Sequence, residues 1–102
     1  MENNINQFMV DFTLPSEYSE EFISKIPLQR NAVNRLLSEG KVVNYALSLE
    51  TSKLWAVFAV ESEAELMELI SELPLSKYMK VRISELTFFQ AANPFTPAFS
   101  VN

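Results

Sequence analysis

The segment KLWAVFAV, residues 53–60, constrains the fold of this 102-residue chain more than any other segment. Its alternation places Trp55, Val57 and Ala59 on one face of a strand, and the intervening residues on the other face are apolar too. A strand that is apolar on both faces is buried on both faces. Helices can cover one face. Something else must cover the second face, and one small protomer has little chain left for it.

Three other segments have the patterns of strands. Residues 7–14 alternate between apolar and mixed positions. VVNYALSLE predicts a strand that joins KLWAVFAV through a turn near residues 50–52. The last long strand, YMKVRISELTFF, changes its apolar parity between residues 83 and 86, which predicts a bulge or bend near residues 84–85.

Two helical patterns lie between these strands. The first has Ser16 as its predicted N-cap, and Pro27 interrupts it, which predicts a kinked helix or two collinear segments. Gly40, the only glycine, stands where a helix end needs a left-handed residue. The second helix opens with a capping-box pattern at Ser62 and stops at Pro74.

The order of elements is therefore β-α-β-β-α-β, the ferredoxin-like arrangement of the α+β class. It predicts a four-stranded antiparallel sheet in the order 4-1-3-2, with two helices on one face. We expect a single domain over residues 1–102 with a core at about 7–90. The tail, residues 91–102, carries two phenylalanines among prolines and could lie extended against a partner subunit.

The composition excludes several kinds of site. The chain has no cysteine and no histidine, so disulfides, thiolate or imidazole metal sites and triads with a histidine base are absent. The net charge of −5, without a basic cluster, argues against nucleic-acid binding. The N-terminus lacks a signal-peptide pattern and no run is long enough to span a bilayer, so we expect a soluble cytoplasmic protein without membrane partners.

The stretch LPLSKYMKVRISEL resembles the Leu-Pro-Leu…Tyr-Met segment and final strand of muconolactone delta-isomerases. RLLSEGKV and FMVDFTLP resemble the helix end and first strand of the same family, in the right order, over roughly residues 7–90. The resemblance implies a dimeric α+β barrel, in which two sheets pack face to face, with larger assemblies among its members. It would explain the second apolar face of KLWAVFAV. It also implies proton transfer within an unsaturated lactone, without metal or organic cofactor.

Polar residues on two strands form the candidate site. Asp11 lies on the face of the first strand opposite its apolar stripe, where Lys80 or Arg82 of the last strand can face it if the strand order is 4-1-3-2. Asp11 would be the proton-transfer base, Arg82 or Lys80 would stabilise developing negative charge, and Tyr78 would donate a hydrogen bond. The candidate ligand-binding residues on the same face are Met9, Asn44, Ser48, Trp55 and Lys80.

Each of these residues also has a structural interpretation. Asp11 and Arg82 would then form a cross-strand ion pair at a subunit interface, and Trp55 and Tyr78 would be core or interface packing. Two functional hypotheses follow. One is a cofactor-independent isomerase, or related lyase, of a small unsaturated acid or lactone. The other is a non-catalytic dimer that binds a small ligand or only itself. The lack of histidine favours the second.

Overall fold

The computed structural model describes residues 5–90, which form a four-stranded antiparallel sheet with helices on one face. The strands lie in the order β2-β3-β1-β4, which confirms the predicted 4-1-3-2 order. They are β1 (Asn6–Thr13), β2 (Val42–Ser48), β3 (Lys53–Val60) and β4 (Lys80–Glu85). The helices are α1 (Glu20–Ser24), α2 (Ile26–Ser38) and α3 (Glu63–Glu72), and a 3-10 turn (Ser76–Tyr78) precedes β4. The predicted docking of the tail falls outside the described residues.

The first helical region divides at Lys25, just before Pro27, into two segments, one of the two predicted forms. Pro27 lies in the first turn of α2, where a missing N–H costs no intrahelical hydrogen bond. The predicted cap at Ser16 is wrong, because α1 starts later. Ser19 immediately precedes the first helical residue, and its Oγ accepts the N–H of Phe22 at 3.1 Å. At the other end of α2, Gly40 has a φ of 76°, the left-handed conformation expected of a glycine after a helix.

The start of α3 is fastened to the start of β2. Ser62 Oγ accepts the N–H of Glu65 at 3.1 Å, and Glu65 Oε1 accepts the N–H of Glu61 at 2.9 Å. The other carboxylate oxygen of Glu65 pairs with the ammonium of Lys41. This hydrogen bond lowers the pKa of Glu65 and raises that of Lys41. The connection after Gly40 is therefore linked to the first turn of α3.

The main core lies between the sheet and the helices. Buried side chains of β1 and β3, among them Phe12 and Phe58, pack with Leu36 of α2 and Leu66 of α3. We call the opposite side of the sheet the open face. Within residues 5–90 it is covered by no helix, and β3 contributes Trp55, Val57 and Ala59 to it, in agreement with the sequence pattern.

The predicted bulge near residues 84–85 is wrong. β4 pairs with β1 without interruption, and the N–H of Leu86 still donates to the carbonyl of Gln7 at 2.8 Å. The irregularity lies in β2 instead, where the register with β3 shifts between Val42 and Asn44. One extra residue, Val43, is accommodated there. No helix within the described part of the chain is long and apolar enough to cross a membrane.

Candidate functional site

The open face carries the predicted acid, but its cation is different. Asp11 lies directly opposite Trp55 on one side and Arg82 on the other. Its Oδ1 is 3.2 Å from Nζ of Lys53, and the same ammonium donates to Thr13 Oγ1 at 2.8 Å. Among residues 5–90, Arg82 makes no ion pair and is exposed. The predicted Asp11–Arg82 pair is therefore replaced by a diagonal pair with Lys53.

Sequence reasoning missed Lys53, although a signal for it was available. Lys53 is the first residue of β3 and pairs with Ser48 across the β2–β3 turn. The separate register of β1 with β3 places Lys53 opposite Thr13, one diagonal step from Asp11. The alternation of β3 places Lys53 on the same face as Trp55, and this parity is the available signal for the cation.

The predicted ligand-binding residues do lie on the open face. Met9, Trp55 and Lys80 lie on the same side of the sheet as Asp11. Asn44 and Ser48 also belong there, but both make structural hydrogen bonds. Asn44 Oδ1 accepts the N–H of Val57 at 3.1 Å, beside the bulge where backbone pairing is interrupted, and Ser48 Oγ accepts the N–H of Thr51 at 3.3 Å.

Tyr78 does not join this group. It belongs to the 3-10 turn, because β4 begins only at Lys80 and the strand alternation does not extend back to it. Its ring packs edge-on against Phe22 of α1, with ring centroids 5.6 Å apart. Its hydroxyl is covered and has no hydrogen-bond partner among the described residues. Desolvation, with the Glu21 carboxylate nearby, raises the pKa of Tyr78.

A second candidate site lies on the other side of the sheet. A cavity of about 390 Å³ opens between α1, α2 and the helix-facing side of β2, and we call it the helix-side pocket. Its lining is mostly apolar and includes Phe22, Val33, Leu54, Leu75 and Met79. The polar lining residues are Tyr18, Gln29, Arg30, Asn34 and Tyr45, and no Asp or Glu of residues 5–90 lines it. This composition suits a small apolar molecule with few polar groups.

Gln29 organises the polar part of the pocket. It is 5% exposed, the only polar side chain in the buried set of residues 5–90. Its Oε1 accepts the N–H of Leu75 at 3.0 Å, and its Nε2 donates to the hydroxyl of Tyr45 at 3.1 Å. Because a backbone N–H can only donate, this pairing identifies the amide oxygen. Desolvation raises the pKa of Tyr45, so the phenol is protonated at neutral pH.

Sequence reasoning also missed Gln29 and Tyr45. Gln29 falls within the apolar stripe of α2, between Ile26 and Val33 at helical spacing, and a polar residue inside such a stripe is the available signal. The contact with Leu75 has a further consequence, because it fastens the Leu-Pro-Leu connector to α2. That connector is the segment on which the family resemblance mainly rests.

Sheet topology and pocket together define a ferredoxin-like α+β protomer with a preformed apolar cavity between its sheet and helices. A family model for muconolactone delta-isomerase matches residues 7–92, and the chain belongs to this family. The fold is also similar to that of muconolactone isomerase in a crystal structure at 3.3 Å resolution. The TM-score is 0.66 at 22% identity, over 88% of this chain and 93% of that one. A comparison with curated proteins gave no match.

Proposed function

We propose that the protein binds a small, mostly apolar unsaturated lactone or acid in the helix-side pocket. One observation carries this proposal, a cavity of about 390 Å³ whose apolar lining surrounds the Gln29–Tyr45 pair. That volume falls within the range of pockets that enclose small ligands, roughly 300–1,000 Å³. The family supplies the chemical class of the ligand, because its name describes an isomerase of a lactone.

The chemistry of the pocket supports binding more than isomerisation. Proton transfer needs a base within hydrogen-bond reach of the substrate. The described lining residues offer no carboxylate, and the raised pKa of Tyr45 makes its phenolate rare at neutral pH. Residues 91–102 contain no ionisable side chain in their sequence. Asp11 is separated from the pocket by the sheet itself.

Isomerisation at the open face is the second candidate, and the Asp11–Lys53 contact favours it. A carboxylate held 3.2 Å from an ammonium, with Arg82 opposite, combines a base with cations that could stabilise a developing enolate. Such a site would need a cover to exclude water, which a second sheet would supply.

A panel of enol-lactones and butenolides tests the two candidates together. We expect calorimetry to show binding of at least one of them and ultraviolet absorbance to show no turnover. Turnover that Asp11→Asn abolishes, with Asn31→Asp as a matched exposed control, would favour the open-face isomerase. Absence of both binding and turnover across the panel would contradict both candidates.

We propose further that the open face meets the same face of a second copy, giving a dimer or a larger assembly. Support comes from three apolar side chains on this face, Met9, Trp55 and Ala59, which stay partly exposed and which no described helix covers. Size-exclusion chromatography with light scattering should therefore give a mass of two chains or more.

Ala46→Arg tests this association directly. Ala46 is exposed and lies opposite Trp55 on the open face, so arginine adds a charge to the proposed contact without disturbing the protomer core. We expect the variant to elute with the mass of one chain. Ala64→Arg, on the exposed side of α3, is the matched control and should leave the mass unchanged. An unchanged mass for Ala46→Arg would contradict a sheet-to-sheet contact.

A further inference from the structure

We infer that the Tyr45 hydroxyl selects ligands with a neutral carbonyl oxygen, to which it donates a hydrogen bond. Gln29 is the positioning residue that directs the hydroxyl toward the ligand. This inference rests on the proposed binding of a small molecule in the helix-side pocket. It goes further by assigning the polar contact and the functional group of the ligand that makes it.

The direction of the hydroxyl proton follows from the hydrogen bonds of Gln29. Its oxygen is occupied by the N–H of Leu75, so only its NH₂ group faces Tyr45. The Tyr45 oxygen therefore accepts a hydrogen bond, and its own proton must be donated elsewhere. No described residue accepts that proton, while Tyr45 lines the cavity. A pocket ligand with an acceptor atom would supply the missing partner.

The charge of the preferred acceptor follows from the surroundings. Apart from the Gln29–Tyr45 pair, the buried part of the pocket wall is apolar and includes Val33, Leu54 and Leu75. A carboxylate placed there would lose its hydration and gain one donor, which leaves a large desolvation cost. Arg30, the one cation among the described lining residues, is exposed. A neutral lactone or ketone oxygen loses much less hydration and is satisfied by the one hydroxyl.

Matched ligands separate the hydrogen bond of Tyr45 from nonspecific apolar binding in the pocket. The probes are a propyl-substituted butenolide, the matching propylcyclopentene and the matching cyclopentene carboxylate, titrated by ligand-observed NMR. Tyr45→Phe should weaken butenolide binding about three- to tenfold, the usual worth of one neutral hydrogen bond. It should leave the cyclopentene and any binding of the carboxylate within about twofold. Tyr78→Phe, which removes a phenol hydroxyl outside the lining of the pocket, should change none of these affinities.

A second variant keeps the hydroxyl and redirects it. In Gln29→Glu one carboxylate oxygen can still accept the N–H of Leu75, while the other accepts the Tyr45 proton. Butenolide binding should weaken as in Tyr45→Phe, although Tyr45 is intact. Circular dichroism checks that each variant is folded. If Tyr45→Phe does not fold, the result for Gln29→Glu decides the outcome.

Three outcomes would overturn the inference. Butenolide affinity that is unchanged in the folded variants would show that the hydroxyl makes no contact with the carbonyl. An equal loss for butenolide and cyclopentene would show that Tyr45 acts only through the shape of the pocket. Binding of none of the probes by the wild-type protein would remove the pocket as their site, and the proposed function would then fail with the inference.

Discussion

Replacing Phe58 by alanine is expected to lower the free energy of unfolding by about 3–5 kcal/mol. Phe58 is 1% exposed, lies in the central strand β3 and faces the helices. Its removal would forfeit the burial of an aromatic ring and leave a cavity between sheet and helices, because close-packed surroundings relax only in part. Urea unfolding followed by far-ultraviolet circular dichroism measures the difference.

Phe88→Ala is the matched control for this substitution. Phe88 is 71% exposed, so removal of the same atoms should change the free energy of unfolding by no more than about 0.5 kcal/mol. Similar effects of the two substitutions would contradict the assignment of the core to the helix-facing side of β3. The comparison is best made at one protein concentration, since self-association would add to the apparent stability of both variants.

Gln29→Met should lower the free energy of unfolding by about 2 kcal/mol, although Gln29 carries no charge and methionine has nearly its shape. The substitution leaves the buried N–H of Leu75 without an acceptor and removes the donor to Tyr45. An unpaired buried donor keeps its full desolvation penalty, which is larger than the net worth of the hydrogen bond. Thermal unfolding should show a midpoint lower by about 10 °C for a domain of this size.

Asn31→Met, at an exposed position of the same helix, provides the control for helix propensity and should have little effect. If the Gln29 and Asn31 variants were equally stable, Gln29 would not hold the connector. The Gln29 variant should also weaken ligand binding. Leu75 of the connector and Met79 just after it both belong to the pocket lining. Loss of stability without loss of binding would separate the two roles.

The fold could be predicted from the sequence because its strands have contrasting faces. The alternation in β1 determines which of its residues meet the helices, and the two apolar faces of β3 indicate a central strand. The predicted bulge falls on the wrong strand, because a change of apolar parity also arises where a strand ends, as β4 does at Glu85. The actual extra residue, Val43, lies in an edge strand where one side chain can be displaced without exposing the core.

The candidate site was less accessible to prediction, because it depends on contacts between residues distant in sequence. The sequence pattern placed Asp11 on the open face, but its contact with Lys53 is diagonal and follows only from the strand register. Gln29 and Leu75 are 46 positions apart, and no local pattern predicts their hydrogen bond. The pocket arises where α1, α2 and β2 diverge, which depends on helix packing rather than on periodicity.

The position of the bound ligand decides most directly whether the helix-side pocket is the binding site. An isotope-labelled sample titrated with the propyl-substituted butenolide would show, by amide chemical shifts, which side of the sheet it contacts. Binding in the helix-side pocket should give the largest changes at Gln29, Tyr45 and Leu75. Changes centred on Asp11 and Trp55 instead would place the ligand on the open face and contradict it.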